Sequence, residues 1–172
     1  MTRKTGSTNE EVRIKASEGE PEGYVLIAEC QTNGKGRVGR TFFSPAETGI
    51  YMSLLLRPGR YSLPQASGLT TMAAAACCEA IENVSDEKAA IKWVNDIYLR
   101  GKKVAGILTE GQLSIESGQL EYAVVGVGFN LIAPDGGYPE EIRQRAGAIF
   151  EDRASMPFDV YNRLAAQFAN EY

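Results

Sequence analysis

The sequence predicts an α+β fold in which a mixed, largely antiparallel sheet is flanked by helices on one face. Short apolar runs bounded by Gly, Pro, Asn or charged residues are typical of strands. Two longer segments, near residues 64–84 and 158–172, have the character of helices. A short turn at 100–102 joins two of the strand-like runs in an antiparallel hairpin. No internal repeat or domain boundary is visible, so residues 1–172 are interpreted as a single domain.

The first predicted helix begins with a capping box, in which Ser7 pairs with Glu10 or Thr8 pairs with Glu11, and it ends near Ser17. The second helix begins at Pro64 and ends near Val84. One stripe of this helix is predicted to face the sheet, and it consists of Leu69, Met72, Ala73, Ala76 and Ala80.

The strands are predicted from apolar runs that are separated by turn residues. A strand at 90–93 is interrupted at 94–96 and resumes at 97–99. The run at 49–56 is apolar enough to be buried on both faces. In order along the chain, the predicted strands cover residues 23–30, 49–56, 90–93, 97–99, 103–110 and 121–131.

Residues 31–40 have the sequence QTNGKGRVGR, in which three glycines alternate with cations directly after a predicted strand. The N–H groups of a glycine-rich loop form a concavity that binds anions. The cations in this loop predict a ligand with phosphate or carboxylate groups. The segment 34–39 also matches G-x-G-x-x-G, but Phe42, Phe43 and Pro45 follow instead of the helix that a dinucleotide site requires. A solvated, charged hairpin is the alternative.

Alternation along residues 91–93 places Ile91 and Trp93 on one face and Lys92 on the other, and Trp93 is predicted to lie in the core. Asn95 and Asp96 follow at a break in the strand. Their oxygen atoms suit Mg²⁺, which keeps several waters and bridges to substrate phosphates. The same dipeptide is also typical of a simple turn, and the sequence leaves both interpretations open.

Alternation along residues 122–130 places Gly126, Gly128 and Asn130 on one face of a strand and Val125, Val127 and Phe129 on the other. Two glycines on one face permit a close approach to the sheet. Either a ligand or a tightly packed helix accounts for this pattern.

Composition excludes several classes of function. The net charge of −4 and the pI of about 5.0 disfavour nucleic-acid binding. The absence of histidine removes histidine-based triads and most zinc sites. Three cysteines, two of them adjacent, indicate a reducing compartment. No apolar run has the length of a membrane span, so a cytoplasmic protein without membrane contact is expected.

Five motifs in order resemble those of the biotin protein ligases, also called biotin–[acetyl-CoA-carboxylase] ligases or holocarboxylase synthetases. The resemblance covers residues 7–172. The motifs are STN at 7–9, QTNGKGRVGR at 31–40, KWVND at 92–96, KVAGIL at 103–108 and GVGFN at 126–130.

The resemblance implies a core like that of the class II synthetases, shared with the lipoate ligases, and a two-step reaction. Biotin and Mg²⁺·ATP give biotinyl-5′-AMP and pyrophosphate, and a lysine of a biotin carboxyl carrier protein or domain then displaces AMP. The loop at 31–40 would be disordered when empty and ordered over the adenylate. Self-association of family members implies a homodimer.

By the same resemblance, Arg37, Lys103 and Asp96 are the catalytic residues, and Asp96 holds Mg²⁺. The implied biotin site consists of Ser7, Thr8, Asn9, Gln31, Gly34, Lys35, Arg37, Lys103 and Gly106. The implied ATP and adenylate site consists of Arg37, Arg40, Phe42, Lys92, Asn95, Asp96, Gly126, Gly128 and Asn130.

The chain departs from the family pattern at several positions. Lys35 and Val38 replace arginines, Phe42 replaces tryptophan and Val94 replaces proline. Neither an N-terminal winged helix nor a C-terminal β-barrel domain is expected from these residues. Two alternative functions are a truncated, non-catalytic module that binds biotin or biotinyl-AMP, and a relative of the lipoate ligases. The lack of histidine argues against the second.

Overall fold

The computed structural model describes residues 1–59 and 63–172. The prediction of an α+β fold is confirmed, because helices pack against one sheet whose neighbouring strands are all antiparallel. A 3₁₀ turn at Arg37–Gly39 was not predicted. The other elements are α1 (Thr8–Ser17), β1 (Val25–Ala28), β2 (Gly49–Leu56), α2 (Leu63–Ser85), β3 (Ala90–Lys92), β4 (Asp96–Leu99), β5 (Lys102–Leu113), β6 (Leu120–Asn130), α3 (Glu140–Arg143) and α4 (Val160–Glu171).

The six strands form one sheet in the order β1-β2-β6-β5-β4-β3, and every neighbouring pair is antiparallel. Parallel pairing is confined to isolated bridges, such as those from Thr2 to Ala28 and from Thr5 to Gln31. These bridges attach the N-terminal residues beside β1.

The prediction that residues 90–99 form one interrupted strand is wrong. Lys92 pairs with Asp96 across an antiparallel hairpin, so the chain reverses direction at 93–95. The predicted core position of Trp93 is also wrong, because this side chain is 77% exposed. Alternation places a side chain on a face of a strand but does not say whether another element covers that face.

The main core lies on the face of the sheet that α2 and α4 cover. Val125, Val127 and Phe129 of β6 contribute to this core as alternation predicts. Helix α1 packs on the opposite face, where Val12 lies in a cluster with Val124. The prediction that the helices share one face is therefore wrong for α1. Strand β2 is buried on both faces because it lies between these two layers.

Two local predictions about the helices need correction. Four members of the predicted α2 stripe are buried, but Met72 is 51% exposed. The capping box at the start of α1 does not form, since the Ser7 side chain makes no capping hydrogen bond. The Glu11 carboxylate instead accepts a hydrogen bond from the Thr5 hydroxyl, and Glu10 contacts Lys35. None of the helices in the described ranges combines the length and apolar composition needed to cross a bilayer.

Candidate functional site

A cavity of about 1100 Å³ opens on the α1 face of the sheet. Its walls are the N-terminus of α1, the loop that follows β1, the β3–β4 hairpin and the segment around α3. All the sequence-predicted site residues line it, namely Ser7, Thr8, Asn9, Gln31, Gly34, Lys35, Arg37, Arg40, Phe42, Lys92, Asn95, Asp96, Lys103, Gly106, Gly126, Gly128 and Asn130. The structure thus brings five separated motifs to one place, while the individual roles of these residues stay predictions.

Residues 34–40 form a flap at the mouth of this cavity, here called the cationic flap. Lys35 bridges to Thr41, so the flap has a narrow, hairpin-like base. Two of its cations contact other elements. The Lys35 ammonium binds the Glu10 carboxylate and holds the pKa of Glu10 below its ordinary value. Arg37 Nη1 donates to Asn95 Oδ1 at 3.1 Å. The flap therefore contacts both α1 and the β3–β4 turn, while Val38 at its tip is 94% exposed.

The floor of the cavity contains a bare patch of backbone on which an aromatic ring rests. Gly106 of β5 and Gly128 of β6 are partners across the two strands. A Cβ on Gly128 would lie 2.4 Å from Cε1 of Phe42, and a Cβ on Gly106 would lie 2.8 Å from Cε2. These two positions must therefore lack a side chain for the Phe42 ring to lie where it does. The ring also packs edge-on against Tyr51, with 6.3 Å between the ring centroids.

Lys103 lies beside this ring and carries the positive charge nearest the floor. Its Nζ is 5.7 Å from the Phe42 ring centroid and donates to Asp96 Oδ1 at 2.6 Å. Both side chains of this ion pair are about one quarter exposed. Asn95, the residue before Asp96, donates from Nδ2 to the Ile107 carbonyl at 3.0 Å. Asn95 therefore belongs to the hairpin turn and also directs its amide into the site, so the two interpretations of this dipeptide are compatible.

The N-terminus of α1 supplies the polar end of the cavity. The Thr8 N–H, which has no partner within the helix, donates to Gln31 Oε1 at 2.8 Å. Gln31 in turn donates from Nε2 to Ser44 Oγ at 3.1 Å. Ser7 is 4% exposed, and no hydrogen bond from its hydroxyl occurs within residues 1–59 and 63–172. That hydroxyl is available to a ligand.

At the opposite end, Asn130 and Tyr138 converge on one carbonyl. Asn130 Nδ2 donates to the Gly147 oxygen at 3.0 Å, and the Tyr138 hydroxyl donates to the same atom at 2.8 Å. Burial raises the pKa of Tyr138 to about 12, so the phenol keeps its proton near neutral pH. These contacts fix the segment after β6 against the end of the sheet.

Sequence reasoning missed several residues that shape the cavity. Tyr138 and Arg145 lie in a segment for which the sequence predicted neither an element nor a role, and both line the cavity. Ser53 is fully buried in a strand that was interpreted only as core. A serine within an apolar strand is the one signal that pointed to a polar neighbour. The space above Gly126 is filled by Asn9, since a Cβ there would lie 1.9 Å from Asn9 Oδ1.

The residues present fit Mg²⁺ only as an ion that arrives with a nucleotide. Within the described ranges there is no cluster of three or more His, Cys, Asp or Glu side chains suited to a metal. Mg²⁺ in nucleotide sites commonly uses one or two carboxylates together with phosphate oxygens and water. Asp96 supplies one such carboxylate in the cavity.

Comparison with known proteins identifies the class to which this fold and site belong. Residues 2–130 match the model of the biotin/lipoate A/B protein ligase family. The chain belongs to this family.

Several relatives bear more specific names. The chain is 36% identical over 143 residues to the bifunctional ligase/repressor BirA of Bacillus subtilis, covering 83% of this chain and 43% of that protein. It is 32% identical over 171 residues to the biotin–[acetyl-CoA-carboxylase] ligase of Mycobacterium tuberculosis, covering 97% of this chain and 59% of that protein. The chain thus spans about half the length of these curated relatives.

Solved structures agree with this family. The biotin protein ligase of Aquifex aeolicus, in complex with biotin and ATP, superposes with a TM-score of 0.71 at 30% identity, covering 98% of this chain and 69% of that one. The biotin protein ligase of Leishmania major, in complex with biotinyl-5-AMP, has a TM-score of 0.75 at 22% identity, covering 98% and 72% of the two chains, and shows the shared fold.

Proposed function

We propose that this chain is the catalytic region of a biotin protein ligase, which activates biotin with ATP and transfers it to a lysine of a biotin carboxyl carrier. The names of its relatives and the biotin and ATP of the Aquifex complex support the choice of substrates. The observation that carries the proposal is the convergence of Arg37, Lys103 and the polar end of α1 on one cavity. Such a cavity can hold an uncharged polar ring at one end and two anions at the other.

The first step must bring two anions together. A carboxylate oxygen of biotin attacks the α-phosphorus of ATP, the bond from that phosphorus to the bridging oxygen breaks, and pyrophosphate leaves. Lys103 and Arg37 neutralise the carboxylate and the α-phosphate, which lowers the repulsion as the two groups approach. In the free chain these two cations are held by Asp96 and Asn95. The ligand anions would take over these contacts.

The second step transfers the acyl group. The neutral amine of a carrier lysine attacks the carbonyl carbon of the mixed anhydride, an amide bond forms, and the bond to the phosphate oxygen breaks to release AMP. A proton leaves the nitrogen during this step. Until the carrier arrives, the cationic flap would cover the anhydride and exclude water. Cleavage by trypsin at Arg37 or Arg40 should then slow when biotin and Mg²⁺·ATP are present, and equal cleavage rates would contradict a protective role.

Further parts of the proposal concern the surroundings of the reaction. We propose that Mg²⁺ enters with ATP beside Asp96 and offsets phosphate charge there. The partner is a biotin carboxyl carrier, with homodimer formation and a cytoplasmic location as additional expectations. The three cysteines are free, which is compatible with a reducing compartment. Nucleic-acid binding is not included, since the net charge of −4 disfavours it.

A pyrophosphate–ATP exchange assay tests the first step directly. Labelled pyrophosphate should enter ATP only when biotin is present, because exchange requires reversible formation of the adenylate. Exchange with lipoate instead of biotin would support the lipoate ligase alternative. Binding of biotin without any exchange would favour a non-catalytic module and would contradict the proposed activity.

A further inference from the structure

A continuous chain of hydrogen-bonding groups runs beneath the cationic flap, and neither of the two reaction steps described above assigns a role to its members. Its central members are buried, with Ser53 0%, Thr8 3% and Asn9 4% exposed. From one end to the other, the chain consists of Glu110, Asn9, Ser53, Thr8, Gln31, Ser44 and the carbonyl of Phe42.

The first end of this chain fixes the orientation of an amide. An ionised Glu110 carboxylate can only accept hydrogen bonds. Asn9 Nδ2 donates to Glu110 Oε2 at 2.9 Å and to the Leu108 carbonyl at 3.2 Å. Asn9 Oδ1 must then face Ser53 Oγ, which lies 2.7 Å away. A flipped amide would direct its oxygen at two acceptors, and this arrangement is unfavourable.

The second end fixes another amide in the same way. The Phe42 carbonyl accepts a hydrogen bond from Ser44 Oγ at 2.9 Å, which uses the single proton of that hydroxyl. Ser44 Oγ is consequently an acceptor for Gln31 Nε2 at 3.1 Å. Gln31 Oε1 therefore faces Thr8, whose N–H it accepts at 2.8 Å.

These two ends leave one arrangement for the hydroxyl between them. Ser53 donates its proton to Asn9, so it cannot also donate to Thr8. Thr8 Oγ1 lies 2.8 Å from Ser53 Oγ and 3.1 Å from Gln31 Oε1, and both of these atoms accept. Thr8 thus gives its own proton to one of them. Its remaining lone-pair capacity is available to an N–H group of a ligand.

We infer that Glu110 and Ser53 are positioning residues that keep Thr8 Oγ1 a hydrogen-bond acceptor and so select a ligand N–H. This inference rests on the proposed function, in which the ligand is the ureido ring of biotin, a group with two N–H donors. Glu110 acts through Asn9, and Ser53 acts through its contacts with Asn9 and Thr8. Neither is needed for the charge neutralisation at Arg37 and Lys103.

Glu110→Gln tests the inference because a carboxamide can donate as well as accept, which releases the constraint on Asn9. Biotin affinity, measured by calorimetry without nucleotide, should fall about tenfold, the scale expected when a buried hydrogen bond is mismatched. The turnover rate of exchange at saturating biotin and the KM for ATP should stay at wild-type values. The preference for biotin over an analogue methylated on a ureido nitrogen should shrink in the variant.

Two further variants make the result decisive. Glu116→Gln makes the same charge change at an exposed site on the β5–β6 connection and should behave as wild type. Ser53→Ala removes the donor to Asn9 and should show the same selective loss of biotin affinity and of preference against the methylated analogue. Melting temperatures are recorded for every variant.

The outcomes separate the two claims. If the wild type binds biotin, and Glu110→Gln and Ser53→Ala both keep the wild-type biotin affinity and the wild-type preference against the methylated analogue, the inference is overturned while the proposed function stands. If biotin affinity falls together with ATP affinity and melting temperature, the residues are merely structural and the inference is also overturned. A wild-type chain that neither binds biotin nor supports exchange contradicts both claims.

Discussion

Gly128→Ala tests whether the cavity floor must lack a side chain at this position, because the added methyl group would overlap the Phe42 ring. The new Cβ would lie 2.4 Å from Cε1, 2.9 Å from Cζ and 3.0 Å from Cδ1 of Phe42. Carbon atoms in favourable contact are about 3.5 Å apart, so the ring must retreat by about 1 Å. Overpacking of this kind costs about 1–3 kcal/mol of the free energy of unfolding.

The same displacement should impair the reaction. The Phe42 ring and the Lys103 ammonium lie side by side on the glycine patch, so moving the ring disturbs the wall beside the proposed reacting phosphate. A misplacement of about 1 Å can reduce a rate by about 10²-fold. Biotin-dependent pyrophosphate–ATP exchange measures this loss, and thermal unfolding measures the change in stability.

A double-mutant cycle assigns the effect to the ring. In a Phe42→Ala background the added methyl group has no ring to meet, so Gly128→Ala should then cost less than about 0.5 kcal/mol. Gly136→Ala is the matched control, because a Cβ on Gly136 would meet nothing within 4 Å. Equal costs of Gly128→Ala with and without the ring would refute this account of the floor.

Three further predictions concern charge, packing and pH. Arg37→Gly and Lys103→Ala should each lower the rate of pyrophosphate–ATP exchange by about tenfold or more, while thermal unfolding shows an intact fold. A wild-type exchange rate in either variant would contradict the proposed role of the replaced residue in charge neutralisation. Trp93→Phe should change the free energy of unfolding by less than about 0.5 kcal/mol in a denaturant titration, because the indole is exposed and not in the core. A loss above about 1 kcal/mol would contradict the exposed position of the indole. Because burial raises the pKa of Tyr138 to about 12, its phenol keeps its proton in the fold at pH values where an unfolded tyrosine, with a pKa of about 10, loses it. The contribution of this phenol to the free energy of unfolding should therefore be complete below pH 10 and fall as pH rises from about 10 towards 12. Above pH 10, the melting temperature should fall less steeply with pH in Tyr138→Phe than in the wild type. Identical slopes would contradict the prediction.

Much of the site could be recognised from the sequence because its chemistry is local. The cations and glycines of the flap are consecutive, so their tendency to bind anions needs no knowledge of the fold. The faces of β6 follow from the period of two, which correctly separated Gly126 and Gly128 from Val125 and Val127. The helix interpretation is confirmed at Gly126, which an α1 side chain approaches, whereas the Phe42 ring, which neither interpretation named, approaches Gly128.

Features that depend on contacts between distant segments could not be predicted in this way. The reversal at 93–95 depends on how Lys92 pairs with Asp96, and the exposure of Trp93 depends on which elements leave its face uncovered. The placement of α1 opposite α2 and α4 was decided by the packing of Val12 on Val124, residues more than one hundred positions apart.

The sequence by itself determined the chemical inventory of this protein, its strand faces and its family motifs, because residue identity and short-range periodicity are properties of the chain alone. Tertiary structure alone decided how that inventory is oriented. Glu110 meets Asn9 at 2.9 Å only after β5 and α1 come together, and that contact sets which atoms of the cavity donate and which accept. Hydrogen-bond direction depends on the partner at each end, and the partners here are brought together only by folding.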